Sequence, residues 1–157
     1  MATTLKQIDD FLALKRIAAV GVSRDPKQIS HTLWQELRQR RYDVVAVNPA
    51  TTEIDGKPCY ASVRDVDPPV DGVLIMTTAA VAEQVLEDCA AVGVHHVWLY
   101  GGLGGGATSP ATIAAAERHG LDTVAGLCPY MFLPETPAFH SIHRFGKKLT
   151  RSYPKAG

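Results

Sequence analysis

Residues 16–47 read RIAAVGVSRDPKQISHTLWQELRQRRYDVVAV, and the succession of patterns within this stretch decides the fold. Arg16 to Val22 is a β-branched, apolar segment that ends at Gly21-Val22-Ser23. From Ser30 the spacing turns helical, with Leu33, Trp34, Leu37 and Arg38 on recurring faces. The basic run Arg38 to Arg41 suits the carbonyl end of that helix, where cations complement the helix dipole. Val44-Val45-Ala46-Val47 then forms a second apolar strand. A complete β-α-β unit therefore fits within about 30 residues, the span that a parallel crossover needs.

The rest of the chain extends this unit. Asn48-Pro49 stops the second strand, and Gly56, Pro58 and Asp67-Pro68-Pro69 bracket an irregular segment. Within it, Ile54 and Cys59-Tyr60 suit small edge strands and Val63 a short helix. Val70 to Met76, apolar apart from Asp71 and Gly72, has the pattern of a strand buried on both faces. Val81, Val85, Cys89 and Val92 recur at helical spacing and Gly93 ends them. His96 to Tyr100 is a further strand, followed by the glycine-rich segment Gly101 to Gly106. Ser109-Pro110 reads as an N-cap with proline at the first helical position, and the helix runs through Ile113 to His119 before Gly120. Asp122 to Ala125 is the last strand. Ile8, Phe11, Leu12 and Leu14 indicate a short helix before the first strand. The expected architecture is α/β: a Rossmann-like, doubly wound, mainly parallel five-stranded sheet with helices on both faces. Residues 1–157 are expected to form one domain, with a tail from about 128 to 157 folding back on it, including the basic amphipathic segment His140 to Leu149.

The 157 residues carry sixteen Lys+Arg against sixteen Asp+Glu, so no global charge favours nucleic acid or an anionic membrane, and any anion site must be local. No apolar run approaches the ~20 residues of a membrane span. The N-terminus lacks a basic segment followed by an apolar core, which makes a cytoplasmic location the expectation. Cys59, Cys89 and Cys128 are odd in number and form no C-x-x-C pair, so reduced thiols are expected.

In an open parallel sheet, ligands bind beyond the carboxyl ends of the strands, where chain order reverses. The first such loop carries Gly21, Val22, Ser23, Arg24 and Lys27 and leads to Ser30 as the expected N-cap. A helix N-terminus with unpaired N–H groups, beside serine and cationic side chains, suits a diphosphate. The second strand ends in Asn48, where NAD-binding domains usually place the carboxylate that receives the ribose hydroxyls, and the first loop lacks G-x-G-x-x-G. A neutral Asn48 beside the flat ring of Pro49 tolerates a phosphorylated ribose that a carboxylate would repel. Coenzyme A carries such a 3′-phosphate. Thr77 and Thr78 add hydroxyl and N–H groups at the same edge, or serve as caps.

The segments Gly21 to Pro26, Tyr42 to Val47 with Asn48-Pro49, Ile54-Asp55-Gly56 before Cys59-Tyr60, Val70 to Val73, and Cys128-Pro129 resemble, in order and spacing, the CoA-binding domain family. The resemblance covers about residues 10 to 135 and is similar to the nucleotide-binding domain that opens the succinyl-CoA synthetase α-subunit. It implies a Rossmann-like fold with CoA as ligand, the diphosphate near Gly21, Ser23, Arg24 and Lys27, and the adenosine near Asn48, Pro49 and Thr77. The synthetase phosphohistidine lies in a second domain that this sequence does not carry, so ligase chemistry by this chain alone is not expected.

The remaining candidates read as structural. His140 and His143, three apart among Arg144, Lys147, Lys148 and Arg151, form a basic stripe rather than a metal site. His95 and His96 are expected on opposite faces, and Cys128 as a packed thiol. The expected function is binding of CoA or an acyl-CoA by a non-catalytic carrier, sensor or partner protein. The alternatives are a nicotinamide-dependent oxidoreductase and a protein-interaction module with a vestigial nucleotide cleft.

Overall fold

The computed structural model describes residues 3–101 and 106–133. Seven strands form one sheet: β1 (Arg16–Val20), β2 (Asp43–Val47), β3 (Glu53–Ile54), β4 (Lys57–Tyr60), β5 (Gly72–Ile75), β6 (His96–Tyr100) and β7 (Asp122–Leu127). Their order is β3-β4-β2-β1-β5-β6-β7. The four described helices are α1 (Leu5–Leu12), α2 (Ile29–Gln39), α3 (Ala79–Ala91) and α4 (Pro110–Arg118). All neighbouring strands pair in parallel except β3, which runs antiparallel to β4. Without β3, the six parallel strands take the order third, second, first, fourth, fifth, sixth, that of dinucleotide-binding domains.

The expected count of five strands is thus corrected to seven. β3 and β4 come from the irregular segment, where Ile54 and Cys59-Tyr60 suit small edge strands, and they join the main sheet rather than standing outside its count. Their hairpin turn is Asp55-Gly56, with φ +50° and +73°. Positive φ at both central residues matches the twist of the flanking strands and is the chemistry of the Asp-Gly hairpin. β4 extends the sheet by pairing Cys59 and Tyr60 with Ala46 and Val47.

Both faces of the sheet are buried, and alternate residues of one strand enter opposite cores. Ile17, Ala19, Leu74 and Trp98 pack with Phe11, Leu33, Trp34 and Leu37 of α1 and α2. Ala18, Val20, Val73, Ile75, Val97 and Leu99 pack with Leu86, Ala115 and Ala116 of α3 and α4. This division explains the nearly continuous apolar runs of the central strands. After β7, Cys128, Tyr130, Met131 and Leu133 are buried on the α1/α2 face. The segment His140 to Leu149, with His140 and His143, and the glycines at 102 and 104–105 lie outside the described residues.

Several boundaries differ from the expectations. β1 stops at Val20 and β5 starts at Gly72, because Gly21 turns at φ +92° and Val70-Asp71 belongs to the preceding loop. Ser30 is not the N-cap of α2: Gln28 holds that place and Ser30 lies in the first turn. Thr4, Thr78 and Ser109 do cap α1, α3 and α4 through their side chains. Val81 and Val92 are exposed rather than inward. His95 precedes β6, so strand alternation does not separate it from His96, and the two rings meet edge to face at 5.4 Å. No described helix is long and apolar enough to cross a membrane.

Candidate functional site

Chain order reverses between β1 and β5, and there a cleft of about 360 Å³ opens at the carboxyl edge of the sheet. Gly21 and Thr77 form its floor. They approach so closely that a Cβ at Gly21 would lie 2.7 Å from the Met76 carbonyl oxygen and 3.1 Å from Thr77 Cγ2. Val20, Val47, Pro49, Val63, Val81 and Val85 supply apolar walls, while Thr78, Ser62, Gln84 and Asp88 supply polar groups. The exposure of Val81, 51%, has its explanation here: its side chain faces the cleft. Apolar walls with few polar groups are what a flat heteroaromatic ring requires.

The polar end of the cleft is built on α3. Val81, Gln84, Val85 and Asp88 stand at helical spacing i, i+3, i+4 and i+7 and so share one face. The Asp88 carboxylate accepts from Arg64 Nε at 2.7 Å and from the Gln84 amide at 3.2 Å. The sequence reading missed Gln84, Asp88, Ser62 and Val63. The signal for Gln84 and Asp88 is their spacing with Val81 and Val85 along α3; Ser62 and Val63 lie in a short turn with no such period.

The loop from Gly21 to Gln28 is internally braced. Ser23 Oγ accepts the Asp25 N–H at 3.0 Å, and Asp25 Oδ1 accepts the Lys27 N–H at 2.9 Å. The Ser23 N–H donates to Ser30 Oγ at 3.1 Å, so Ser30 supports the loop from the first turn of α2. The first intrahelical bond of α2 joins Thr32 N–H to the Gln28 carbonyl, which leaves the N–H groups of Ile29, Ser30 and His31 ahead of it. Gln28 makes no side-chain capping bond, in contrast to the caps of the other three described helices. Arg24 and Lys27 are exposed, and among the described residues their side chains have no hydrogen-bond or ion-pair partner.

The expected site residues therefore divide. Gly21, Asn48, Pro49, Thr77 and Thr78 meet in the cleft. Ser23, Arg24, Lys27 and Ser30 lie in the adjoining loop and helix turn. Val22 is fully buried in the core under α2, and only its backbone serves the loop. Asn48 has a role that the sequence did not disclose: its Nδ2 donates to the Val22 carbonyl at 2.9 Å while its Oδ1 accepts the Ala50 N–H at 2.9 Å. A carboxylate could not donate to a carbonyl oxygen, so the amide is required to tie the two loops. Pro49 is exposed and lines the cleft. Thr78 caps α3, with Oγ1 3.5 Å from the Val81 N–H, and Thr77 Oγ1 donates to the Thr78 carbonyl at 2.9 Å.

Away from the cleft, Cys128 is buried and hydrogen-bonded to Tyr100, whose hydroxyl pKa is pushed up to about 12, mainly by burial. Burial likewise raises Tyr130. A second groove of about 410 Å³, with Arg16, Arg38 and Asp43 on its lining, lies toward the amino ends of β1 and β2, away from the loops that converge at the carboxyl edge.

Known proteins resemble this chain in sequence and in fold. An acetate–CoA ligase [ADP-forming] I of Archaeoglobus fulgidus is 30% identical over 120 residues, covering 73% of this chain and 18% of the ligase. The chain thus spans less than a fifth of that relative's length. A hypothetical protein from Pyrococcus horikoshii has a solved structure that superposes with a TM-score of 0.72 at 26% identity, covering 82% of this chain and 92% of that one. The apo structure of a dinucleotide-forming acetyl-coenzyme A synthetase 1 from Ca. Korarchaeum cryptofilum superposes at 0.61 and 26% identity, covering 73% of this chain and 26% of the synthetase. The family model described as a CoA binding domain matches residues 15–134, from the start of β1 to just beyond the described tail. With most of its length so matched, the chain belongs to the CoA-binding domain family.

Proposed function

We propose that the protein binds coenzyme A, or an acyl-CoA, in the cleft between β1 and β5. The observation that carries this reading is the junction of an apolar slot with an uncapped helix N-terminus at the topological switch point. The adenine ring lies between Pro49 and the Val63 and Val81 side chains, and the diphosphate crosses Gly21 toward the first turn of α2. Arg24 and Lys27, free of internal partners among the described residues, supply charge-assisted contacts to its oxygens. Asn48 keeps a carboxylate away from the ribose phosphate. The role proposed for this chain is that of a carrier, sensor or partner of CoA-dependent enzymes.

Calorimetric titration with CoA, dephospho-CoA, NAD and ATP at one salt concentration tests the reading. Tighter binding of CoA than dephospho-CoA is expected, because the 3′-phosphate is read. Preference for NAD would replace the proposal by a nicotinamide enzyme. Silence from all four would replace it by an interaction module.

A further inference from the structure

Beneath the anion-facing loop lies a histidine that the cleft itself does not use. His31 is fully buried in the first turn of α2. Its Nδ1 is 2.6 Å from the Ser23 carbonyl oxygen, and its Nε2 is 2.8 Å from Oδ2 of Asp55. A carbonyl oxygen can only accept, so Nδ1 donates. Asp55 Oδ2 also accepts from the Gln35 amide at 2.8 Å. Asp55 is itself aimed by the hairpin turn, where it holds φ +50°.

Of the charged side chains around the ring, Asp55 is the one that bonds it. Trp34 meets the imidazole edge-on at 5.7 Å, with Arg38 stacked on the indole at 4.7 Å. Arg24, Asp25 and Lys27 of the loop are exposed, as is Lys57 beyond the hairpin turn. The ring thus links three places: the Ser23 peptide, the first turn of α2 and the β3–β4 hairpin.

We propose that His31, bonded through Nδ1 to the Ser23 carbonyl and through Nε2 to Asp55, is the positioning residue of the diphosphate loop. It holds the Ser23 carbonyl inward and away from the ligand's oxygens, and Asp55 holds the ring in that orientation. This inference rests on the diphosphate placement given above for its consequence in binding, and on hydrogen-bond geometry alone for the bracing of the loop.

Hydrogen exchange of the Asp25 and Lys27 amides, CoA titration and urea denaturation are compared at one pH in the parent protein, Asp55→Asn, Asp55→Ala and His31→Gln. Asp55→Ala removes the ring's partner at an exposed turn and is expected to accelerate exchange of both amides and to weaken CoA at least tenfold. Asp55→Asn keeps a residue suited to the turn and a polar partner for Nε2, and should restore most of both losses. His31→Gln should match Asp55→Ala in exchange and affinity.

Amides that exchange in Asp55→Ala as they do in the parent, or an Asp55→Asn that rescues nothing, would overturn the inference. CoA failing to bind the parent would instead defeat the proposed function, and the amide exchange would still decide the role of His31.

Discussion

Replacing Gly21 by alanine probes the switch point directly, and Gly93→Ala is its internal control. Both glycines have positive φ, +92° and +78°. Alanine in such a conformation costs about 1–2 kcal/mol, partly offset by about 0.4–1 kcal/mol from a less flexible unfolded chain. At Gly93 a new Cβ meets nothing within 4 Å, so the net loss there is about 1 kcal/mol or less. At Gly21 the Cβ would lie 2.7 Å from a backbone oxygen of β5's end, which cannot move without disturbing the parallel pairing of β1 and β5. Overpacking of this kind adds about 1–3 kcal/mol. Gly21→Ala should therefore lose roughly 2–4 kcal/mol by urea denaturation, and the displaced floor should weaken CoA at least tenfold in calorimetry. If Gly21→Ala matches Gly93→Ala within about 0.5 kcal/mol and binds CoA like the parent, the close approach of β1 and β5 does not shape the site.

Three further outcomes are expected. Lys27→Ala removes a charge-assisted contact and should weaken CoA by about 1.5–3 kcal/mol with little change in stability, since its exposed side chain has no internal partner among the described residues; unchanged affinity removes it from the site. Val81→Glu should sharply reduce CoA affinity while leaving the urea midpoint nearly unchanged, because the side chain is half exposed and lines the cleft. The Cys89 thiol is pushed up to about 12 from 9.0, first by burial and then by Asp88. The folded state therefore keeps a proton that the unfolded chain releases. This contribution is intact below pH 9 and lost as pH rises toward 12, so urea midpoints should fall across that window and fall less steeply in Cys89→Ala.

How much of this was legible beforehand follows from the range of each interaction. Alternating strand and helix patterns set the doubly wound layout, and the rule that ligands gather at carboxyl strand ends pointed to Gly21, Asn48, Pro49, Thr77 and Thr78, which do share one cleft. Ile54 and Cys59-Tyr60 suited edge strands, and β3 and β4 form there; the count of five left them out because strands this short have no period that sets their pairing with the main sheet. Ser30 was misassigned because a serine before a helical run is the usual cap, whereas here its hydroxyl serves Ser23. His31 stood three residues before Trp34 on the apolar face, a sign of burial, but nothing local named its partner 24 residues away.

The sequence by itself determined the alternation of strands and helices, which sheet edge carries the loops, and the family, because these depend on local periodicity and on short motifs. Only the tertiary structure decided that Asn48 ties two loops together, that Val81 lines a cleft instead of a core, and that Asp55 meets His31. In each case the deciding contact is made between elements far apart in the chain, and a helical or strand period states which side of an element is apolar without stating what lies against it.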